Sequence, residues 1–543
     1  MTDLIIHSAT IRTMTADTGG EAVAETAVAV SGGVITALGQ DDEILALAGG
    51  DTEIIDARGA TLTPGLIDSH CHPVLGCEST VGVDFGGMTN LETIRQAIAE
   101  EARRLPADAW ILGWNLDYKA FEEAGIRGDH FDAVTGGRPL AVRFFDMHTG
   151  LANSVALARA GVDGTEQFSD ASEVVVEEDG TPTGELREIP AYTLVFDAVP
   201  QGPPEELARK VQAKLAEMAA TGVTTATIMD GTRATLSTLD ALEALPGGLP
   251  VRLQVALWHH PGDDDTALAE RIALFGVEGE RYRVAMIKMF IDGVIDSGTA
   301  WLHQPDTAGD SAHPFWPSLD RYREVAAAYH QAGFQLATHS CGDAGVDHVT
   351  QVYRELVQGD PAAAPHRIEH LETMTDRDVE QLVDAGVVAS MQPLHMQWRE
   401  TGGADPWAVR LGPERAARAW RIKDVLDAGG RIALGSDWPV ATSDARIGLA
   451  WARLRRHPGR PEAPAFEADQ RLTGLQALLG YTRWAAEALG RRDLGTIAPG
   501  GQADLALWSA DPVDVDPDDL CETPVLLTTV AGTVVHRERE IAL

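Results

Sequence analysis

Two histidines one residue apart, His70 and His72, stand in GLIDSHCHP after an apolar stretch that is typical of a β-strand. Alternate residues of a strand share one face, so both imidazoles can approach the same ion. The HxH pair alone is a weak signal, because two histidines this close also occur by chance. A metal role therefore requires further ligands from other parts of the chain.

Four more residues of metal-binding type end, or lie within, apolar β-prone runs. His339 stands in LATHS, His370 ends HRIEH, Asp437 ends ALGSD and Lys288 lies inside VAMIKMF. A single such histidine is more often a core or loop residue, but a set of this kind at several strand ends is hard to obtain by chance. Imidazole nitrogens and carboxylate oxygens suit zinc at about 2.0–2.3 Å, with manganese or iron as alternatives.

Lys288 differs from the other four lysines, which occupy polar or amphipathic surroundings. A buried ammonium is costly without a partner. Two interpretations follow from the residues: Lys288 pairs with a nearby carboxylate such as Asp292 or Asp230, or it belongs to the metal site.

Eight apolar, β-branched runs alternate with helical stretches rich in Ala, Leu, Glu and Arg. This alternation predicts a (β/α)8 TIM barrel, whose active site lies at the carboxyl ends of its strands. The predicted strands are 61–70, 222–230, 250–258, 283–290, 334–340, 366–370, 387–393 and 431–437.

The barrel is predicted over residues 61–489. The two ends of the chain have a different sequence pattern. Residues 1–60 and 490–543 contain short β-prone runs separated by Gly and Asp turns, which predict one discontinuous β-sandwich domain. Residues 73–205 are too long for one crossover helix and carry helices, a strand-like PLAVRFFD and a hairpin-like EVVVEEDGTPTGELRE. We predict an insertion after strand 1 that covers the active site.

Composition restricts the partners. A formal charge of −39 and a pI near 4.7 argue against nucleic acid and anionic membranes, so a small-molecule substrate is expected. No apolar run reaches about 18 residues and no basic-then-apolar start is seen, so a cytoplasmic protein is expected. The four cysteines lack CxxC spacing and are interpreted as reduced. A homodimer is the default assembly.

The ordered set HxH, Lys, His, His and Asp on strands 1, 4, 5, 6 and 8 resembles the metal pattern of the amidohydrolase superfamily. The phrases TLTPGLIDSHCHP, IKMFIDG, THSCGDAG, RIEHLE and LGTIAPGGQADLALW look like its family 3 branch of N-substituted formamide deformylase-like enzymes. The resemblance implies metal-dependent hydrolysis of a non-peptide C–N bond, with Asp437 as general base and then acid. It also implies that Lys288, as a carbamate, bridges two ions.

The resemblance continues inside the insertion, in GWNLDY, RFFDMHTGLANS and PTGELRE. The branch more often has a small residue where Met147 stands and an Ala-Ile pair where Ser340 and Cys341 stand, which affects specificity more than catalysis. The expected substrate-binding residues are Trp114, Asp146, His148, Glu188, Asp292, Asp343 and Gln392.

Two rival functions remain open from the sequence. The first is a metal-dependent lyase, decarboxylase or isomerase on the same barrel, since fold and metal do not fix the reaction. The second is a non-catalytic binding protein with a degenerate site. An assay for released amine and acid separates them from a hydrolase.

Overall fold

A sheet of eight parallel strands forms the centre of the computed structural model, which describes residues 2–16, 24–168, 172–200, 202–358 and 365–538. Each strand pairs with the next one along the chain. This near-closed barrel confirms the predicted arrangement of βα units. The strands are β1 (Leu66–Cys71), β2 (Val223–Gly231), β3 (Arg252–Trp258), β4 (Tyr282–Phe290), β5 (Gln335–Ser340), β6 (Arg367–His370), β7 (Val388–Met391) and β8 (Arg431–Leu434).

The chain just beyond β8 approaches β1 and nearly closes the barrel. The Asp437 amide donates to the His70 carbonyl at 2.7 Å, and the Ser436 hydroxyl donates to Asp68 at 2.6 Å. The predicted strand 431–437 therefore ends early, because its last residues turn to make these contacts. Asp437 lies on the loop that follows β8.

The single strand predicted over 61–70 is wrong, because the structure has two strands there, Thr61–Pro64 and Leu66–Cys71. Thr61–Pro64 pairs with Leu505–Trp508 from the C-terminal region, whereas Leu66–Cys71 pairs with β2. The switch occurs at Gly65, where a Cβ atom would lie 2.1 Å from Thr224 Cγ2. Residue 65 must therefore be glycine for the chain to pass from one sheet to the other.

Helices cover the outside of the barrel between successive strands. Several begin with a side-chain cap of the expected type, such as Thr375 on the Asp378 amide. The barrel helices are Pro204–Ala220, Arg233–Glu243, Asp265–Ile272, Leu319–Gln331, Asp343–Val357, Asp376–Asp384, Pro406–Leu411, Pro413–Ala416, Ile422–Asp427, Ala445–Leu454, Gly474–Gly480 and Arg483–Ala488.

Between β1 and Pro204 the chain forms a separate six-stranded sheet with its own apolar clusters. The strand-like and hairpin-like segments of the sequence lie in it. In spatial order its strands are Glu173–Val176, Pro182–Arg187, Thr149–Ala152, Leu140–Phe144, Ile111–Leu116 and Val83–Asp84. Its helices are Pro73–Ser79, Leu91–Arg104, Ser154–Ala160 and Ile189–Phe196.

Strands from both ends of the chain meet beside the barrel. One sheet has the order Val34–Gly39, Ala27–Ser31, Leu4–His7 and Glu53–Asp56. The other has the order Thr10–Ile11, Thr61–Pro64, Leu505–Trp508, Val525–Val530 and Thr533–Arg537. A single apolar cluster contains residues of both sheets, including Ile6, Leu62 and Leu505. None of the helices in the described ranges is both long and apolar enough to span a membrane.

Candidate metal centre

Three side chains converge at the carboxyl ends of the barrel strands. His70 lies in β1, His370 ends β6 and Asp437 follows β8, and one ligand atom from each lies within 4.8 Å of the others. His70 Nε2 is 3.5 Å from Asp437 Oδ1, and His370 Nδ1 is 3.7 Å from Asp437 Oδ2. All three are buried. The barrel thus unites residues from its first, sixth and last strand regions that are far apart in sequence.

Two of these residues have an unusual backbone. His370 has φ of +76° and Asp437 has φ of +55°, a region that residues with a Cβ rarely adopt. Such conformations cost on the order of 1–3 kcal/mol each and concentrate at functional sites. The turns aim both side chains into the site at the point where each strand ends.

Buried carboxylates fix the orientation of the first two histidines. His70 Nδ1 is 2.7 Å from Glu369 Oε2, and His72 Nδ1 is 3.0 Å from Asp230 Oδ1. Each carboxylate accepts a hydrogen bond from Nδ1–H, which leaves the lone pair of the imidazole on Nε2. Both Nε2 atoms face Asp437 Oδ1. Burial would raise the pKa of Glu369, but Arg367, donating at 2.6 Å, together with His70 holds it far below its usual range. This is the outer-shell arrangement that orients metal-binding imidazoles.

Glu369→Gln is expected to weaken zinc binding by about 10–100-fold, because a neutral amide oxygen accepts the His70 Nδ1–H bond more weakly than the carboxylate and makes the imidazole a poorer ligand. Competition with a chromophoric chelator measures the affinity. Glu467→Gln is the matched control, since Glu467 lies 3.4 Å from buried Arg455, outside the site. Unchanged zinc affinity in Glu369→Gln would show that His70 is not a ligand.

The donor atoms fit a divalent cation. His70 Nε2 and Asp437 Oδ1 are buried, and neither has a hydrogen-bond partner within the described chain. Burial would raise the pKa of Asp437, but the facing imidazoles of His70, His395 and His72 hold it well below its usual range. An unpartnered lone pair beside an unpartnered carboxylate oxygen is costly unless a cation lies between them.

His72 and His339 border the same cavity as the three convergent ligands. His72 Nε2 is 3.0 Å from Asp437 Oδ1. His339 Nε2 is 3.0 Å from the Gly293 carbonyl, which can only accept, so Nε2 carries the proton and Nδ1 keeps a lone pair. Both histidines are therefore available as nitrogen ligands.

Lys288 has no carboxylate oxygen within 4.0 Å anywhere in the described ranges, and Nζ lies 4.7 Å from the centre of the Phe290 ring. Asp230 holds His72, and Asp292 accepts from the amides of Trp301, Cys341 and Gly342. The structure thus gives no support to an ion pair with either carboxylate. Burial lowers the pKa of Lys288 to about 8.

The cavity has two lobes that share Asp437, His339, His370, Asp146 and His148. One, here the apolar lobe, is lined by Leu75, Met147, Ile189, Met229, Trp258 and Phe290, among others. The other, here the tryptophan lobe, is lined by Phe145, Trp398, Arg399, Trp407 and Trp420, among others. The ligand atoms lie where the lobes meet.

The insertion supplies part of the cavity wall. Asp146 and His148 line both lobes, and Glu188 holds His148 through a 2.6 Å contact to Nδ1. Tyr118 donates to Asp146 at 2.6 Å. Burial opposes protonation of His148, but Glu188 raises its pKa above the usual value. A protonated His148 can therefore donate a hydrogen bond into the cavity.

Five expected substrate-binding residues lie outside the walls of both lobes, and Glu188, behind His148, is one of them. Trp114 borders a separate open groove with Lys214 and Trp438. The oxygens of Asp292 accept backbone amides, and Asp343 accepts the His303 amide at 2.9 Å. These carboxylates position loops, which sequence position alone could not distinguish from ligand binding. Gln392 is fully buried, with neither amide atom hydrogen-bonded to a described residue.

Sequence reasoning missed His395 and Glu372. His395 Nε2 is 3.3 Å from Asp437 Oδ2, and its Nδ1 is 3.8 Å from Glu372 Oε1. Burial would lower the pKa of His395, but these two carboxylates raise it to about 9. His395 lies four residues beyond β7, so its position after a predicted strand was the available signal.

The fold and the donor set define a metal-dependent hydrolase on a parallel barrel. A sequence model of the amidohydrolase family matches residues 53–536, and the chain belongs to this family. It is therefore an amidohydrolase, acting on carbon–nitrogen bonds other than peptide bonds.

Individual relatives and solved structures are similar to this chain over nearly its whole length. The chain is 27% identical to N-substituted formamide deformylase of Arthrobacter pascens, over 99% of both chains. A metal-dependent hydrolase of Pyrococcus horikoshii has a similar structure, with a TM-score of 0.73, 23% identity and coverage of 95% of this chain and 99% of the other. Atrazine chlorohydrolase of Arthrobacter aurescens complexed with zinc gives a TM-score of 0.54 at 18% identity, covering 98% and 95%.

Proposed function

We propose that this protein hydrolyses an amide-type, non-peptide C–N bond of a small molecule, with zinc held by His70, His72, His339, His370 and Asp437. The observation that carries the proposal is the convergence of His70 Nε2, His370 Nδ1 and Asp437 at the junction of two cavity lobes. The zinc-bound chlorohydrolase of similar fold and the formamide deformylase relative support it.

A divalent cation at such a site polarises the scissile carbonyl and lowers the pKa of water toward about 7. Asp437 is the carboxylate that receives the proton of the attacking water, and it then returns that proton to the leaving amine. His148, fixed by Glu188, donates a hydrogen bond to the substrate carbonyl from the insertion side. The insertion and the barrel together limit the water that reaches the reacting atoms.

Lys288 is proposed to act as a carbamate. Its neutral Nζ attacks CO2 to form an N–C bond, and the displaced N–H proton leaves to solvent, which gives a carboxylate in place of an ammonium. Such a carbamate would supply two oxygens to the cavity that Lys288 lines together with His70 and His339, which would suit a site of two cations. The absence of a carboxylate within 4.0 Å of Nζ, among the described residues, leaves room for this modification.

A substrate screen with metal-reconstituted protein tests the function. N-formyl, N-acyl, cyclic amide and ester compounds are incubated with enzyme, and released amine and acid are quantified by mass spectrometry. Release of both in equal amounts supports hydrolysis. Product formed without added water, detected by the lack of ¹⁸O from labelled solvent, would instead indicate a lyase or isomerase.

The two terminal sheets are proposed to form one discontinuous β-sandwich beside the barrel. Their shared cluster around Ile6, Leu62 and Leu505 supports this arrangement. Arg12 near the N-terminus also donates to Asp511 at 2.6 Å, which links the two ends of the chain.

A further inference from the structure

The tryptophan lobe contains a buried arginine, Arg399, that forms a long ion pair with Asp405 and has two N–H groups without a hydrogen-bond acceptor among the described residues. Arg399 is 9% exposed, and its Nε and Nη1 atoms are buried without an acceptor in the described chain. Nε lies 3.5 Å from Asp405 Oδ1, beyond normal hydrogen-bond length, and Asp405 already accepts the amides of Glu400 and Ala408. Leaving buried charged donors unsatisfied is costly.

Neighbouring rings hold the guanidinium in place. Arg399 Cζ lies 4.3 Å from the centre of the Trp407 ring and 5.4 Å from that of Phe466. These cation–π contacts hold the guanidinium against the rings, and its buried Nε and Nη1 atoms still lack an acceptor in the described chain. Buried Arg455 provides the contrast, because it donates to the carbonyls of Phe466, Trp420 and Ala419.

Two indole groups add donors to the same lobe. Trp398 Nε1 and Trp420 Nε1 are buried and have no acceptor within the described residues. Trp398 also stacks on Phe145 at 4.0 Å, and Trp420 stacks on Trp407 at 5.0 Å. The lobe therefore combines flat aromatic walls and N–H donors that have no acceptor among the described residues with the carboxylates of Asp146, Asp296, Glu372 and Asp437, which also line it.

We propose that the tryptophan lobe binds an aromatic substrate arm that carries a carboxylate, with Arg399 as its partner. The apolar lobe then accepts a short uncharged arm, and the scissile C–N bond lies at the junction beside Asp437. Planar guanidinium groups bind carboxylates with paired hydrogen bonds, and aromatic rings stack on indoles. This inference names the substrate class of the proposed amidohydrolase and rests on that function.

Two matched substrate pairs test the assignment. The first pair has the carboxylate on the amine part of the amide, and the second has it on the acyl part. N-acetylphenylalanine, as both enantiomers, is compared with N-acetylphenethylamine, and 4-(methylcarbamoyl)benzoate with N-methylbenzamide. For at least one pair, the zinc-loaded enzyme is expected to show kcat/KM at least about 30-fold higher for the carboxylate compound. Arg399→Gln is expected to reduce this preference to less than about threefold, chiefly through KM.

Arg415→Gln is the matched control, since Arg415 donates to the Leu411 and Gln304 carbonyls outside the cavity. Trp398→Phe, which keeps the ring but removes Nε1–H, provides a milder second variant and should lower the preference about 3–10-fold. Thermal unfolding identifies any variant that fails to fold.

Equal loss on both members of a pair in Arg399→Gln and Trp398→Phe would overturn the carboxylate assignment, as would a wild-type preference for the neutral compounds. Calorimetric binding of 3-phenylpropanoate supplies a readout that does not need turnover. Wild-type binding that is lost in Arg399→Gln but kept in Arg415→Gln supports the subsite, even if no amide is cleaved. A lack of cleavage would count against the proposed hydrolysis and not against the subsite. Binding unchanged in Arg399→Gln would contradict the subsite.

Discussion

Asp437→Asn is expected to lower kcat by at least about two orders of magnitude while leaving the fold and much of the bound metal in place. The amide is nearly isosteric with the carboxylate, so the turn at φ of +55° and the contact with the His70 carbonyl are retained. What is lost is the group that can receive a proton from water. Steady-state kinetics together with metal analysis of the same preparation measure both effects.

Asp378→Asn is the control for this substitution, because Asp378 lies outside the cavity and accepts from Thr375 at a helix start. It should affect unfolding temperature more than kcat. Near-normal turnover in Asp437→Asn would assign the base to another residue. His148 would then be favoured over Asp343, whose carboxylate already accepts the His303 amide.

Lys288→Ala is expected to reduce both metal content and activity by at least about tenfold, and short carboxylic acids such as acetate or propionate should restore part of the activity. The small acid would occupy the space that the carbamate fills in the wild type. Wild-type protein stripped of metal should likewise require bicarbonate together with metal for full reactivation. Intact-mass analysis and bicarbonate-dependent reactivation provide two independent measurements.

Lys423→Ala serves as the lysine control, since Lys423 pairs with Asp427 on the surface helix Ile422–Asp427. It should need no acid and keep its metal. Full activity in Lys288→Ala would mean that Lys288 is not a ligand and that the site holds one ion.

The barrel and the convergent ligands were readable from the sequence because periodicity and strand ends are local properties. Apolar runs that end in His70, His370 and Asp437 need only the rule that parallel strands share one carboxyl edge. The strand boundary at Gly65 was missed because a continuous apolar run does not reveal a change of hydrogen-bond partner. That change depends on contacts with the distant C-terminal strand.

The substrate-binding predictions depended on side-chain direction, which the sequence does not show. Asp292 follows β4 much as a ligand would, yet three backbone amides occupy it. Trp114 is an aromatic residue of the insertion that borders another groove. Conversely, His395 lies in the 3₁₀ helix Pro393–Trp398 that follows β7, and Arg399 comes directly after it. The folded chain shows that both face the cavity.

The most direct test of the account is a crystal structure of zinc-reconstituted protein with anomalous diffraction measured on both sides of the zinc absorption edge. We predict an anomalous peak bounded by His70, His370 and Asp437, at the junction of the apolar and tryptophan lobes. A peak elsewhere on the molecule, or fully loaded and active enzyme without any peak at this junction, would contradict the proposed metal centre.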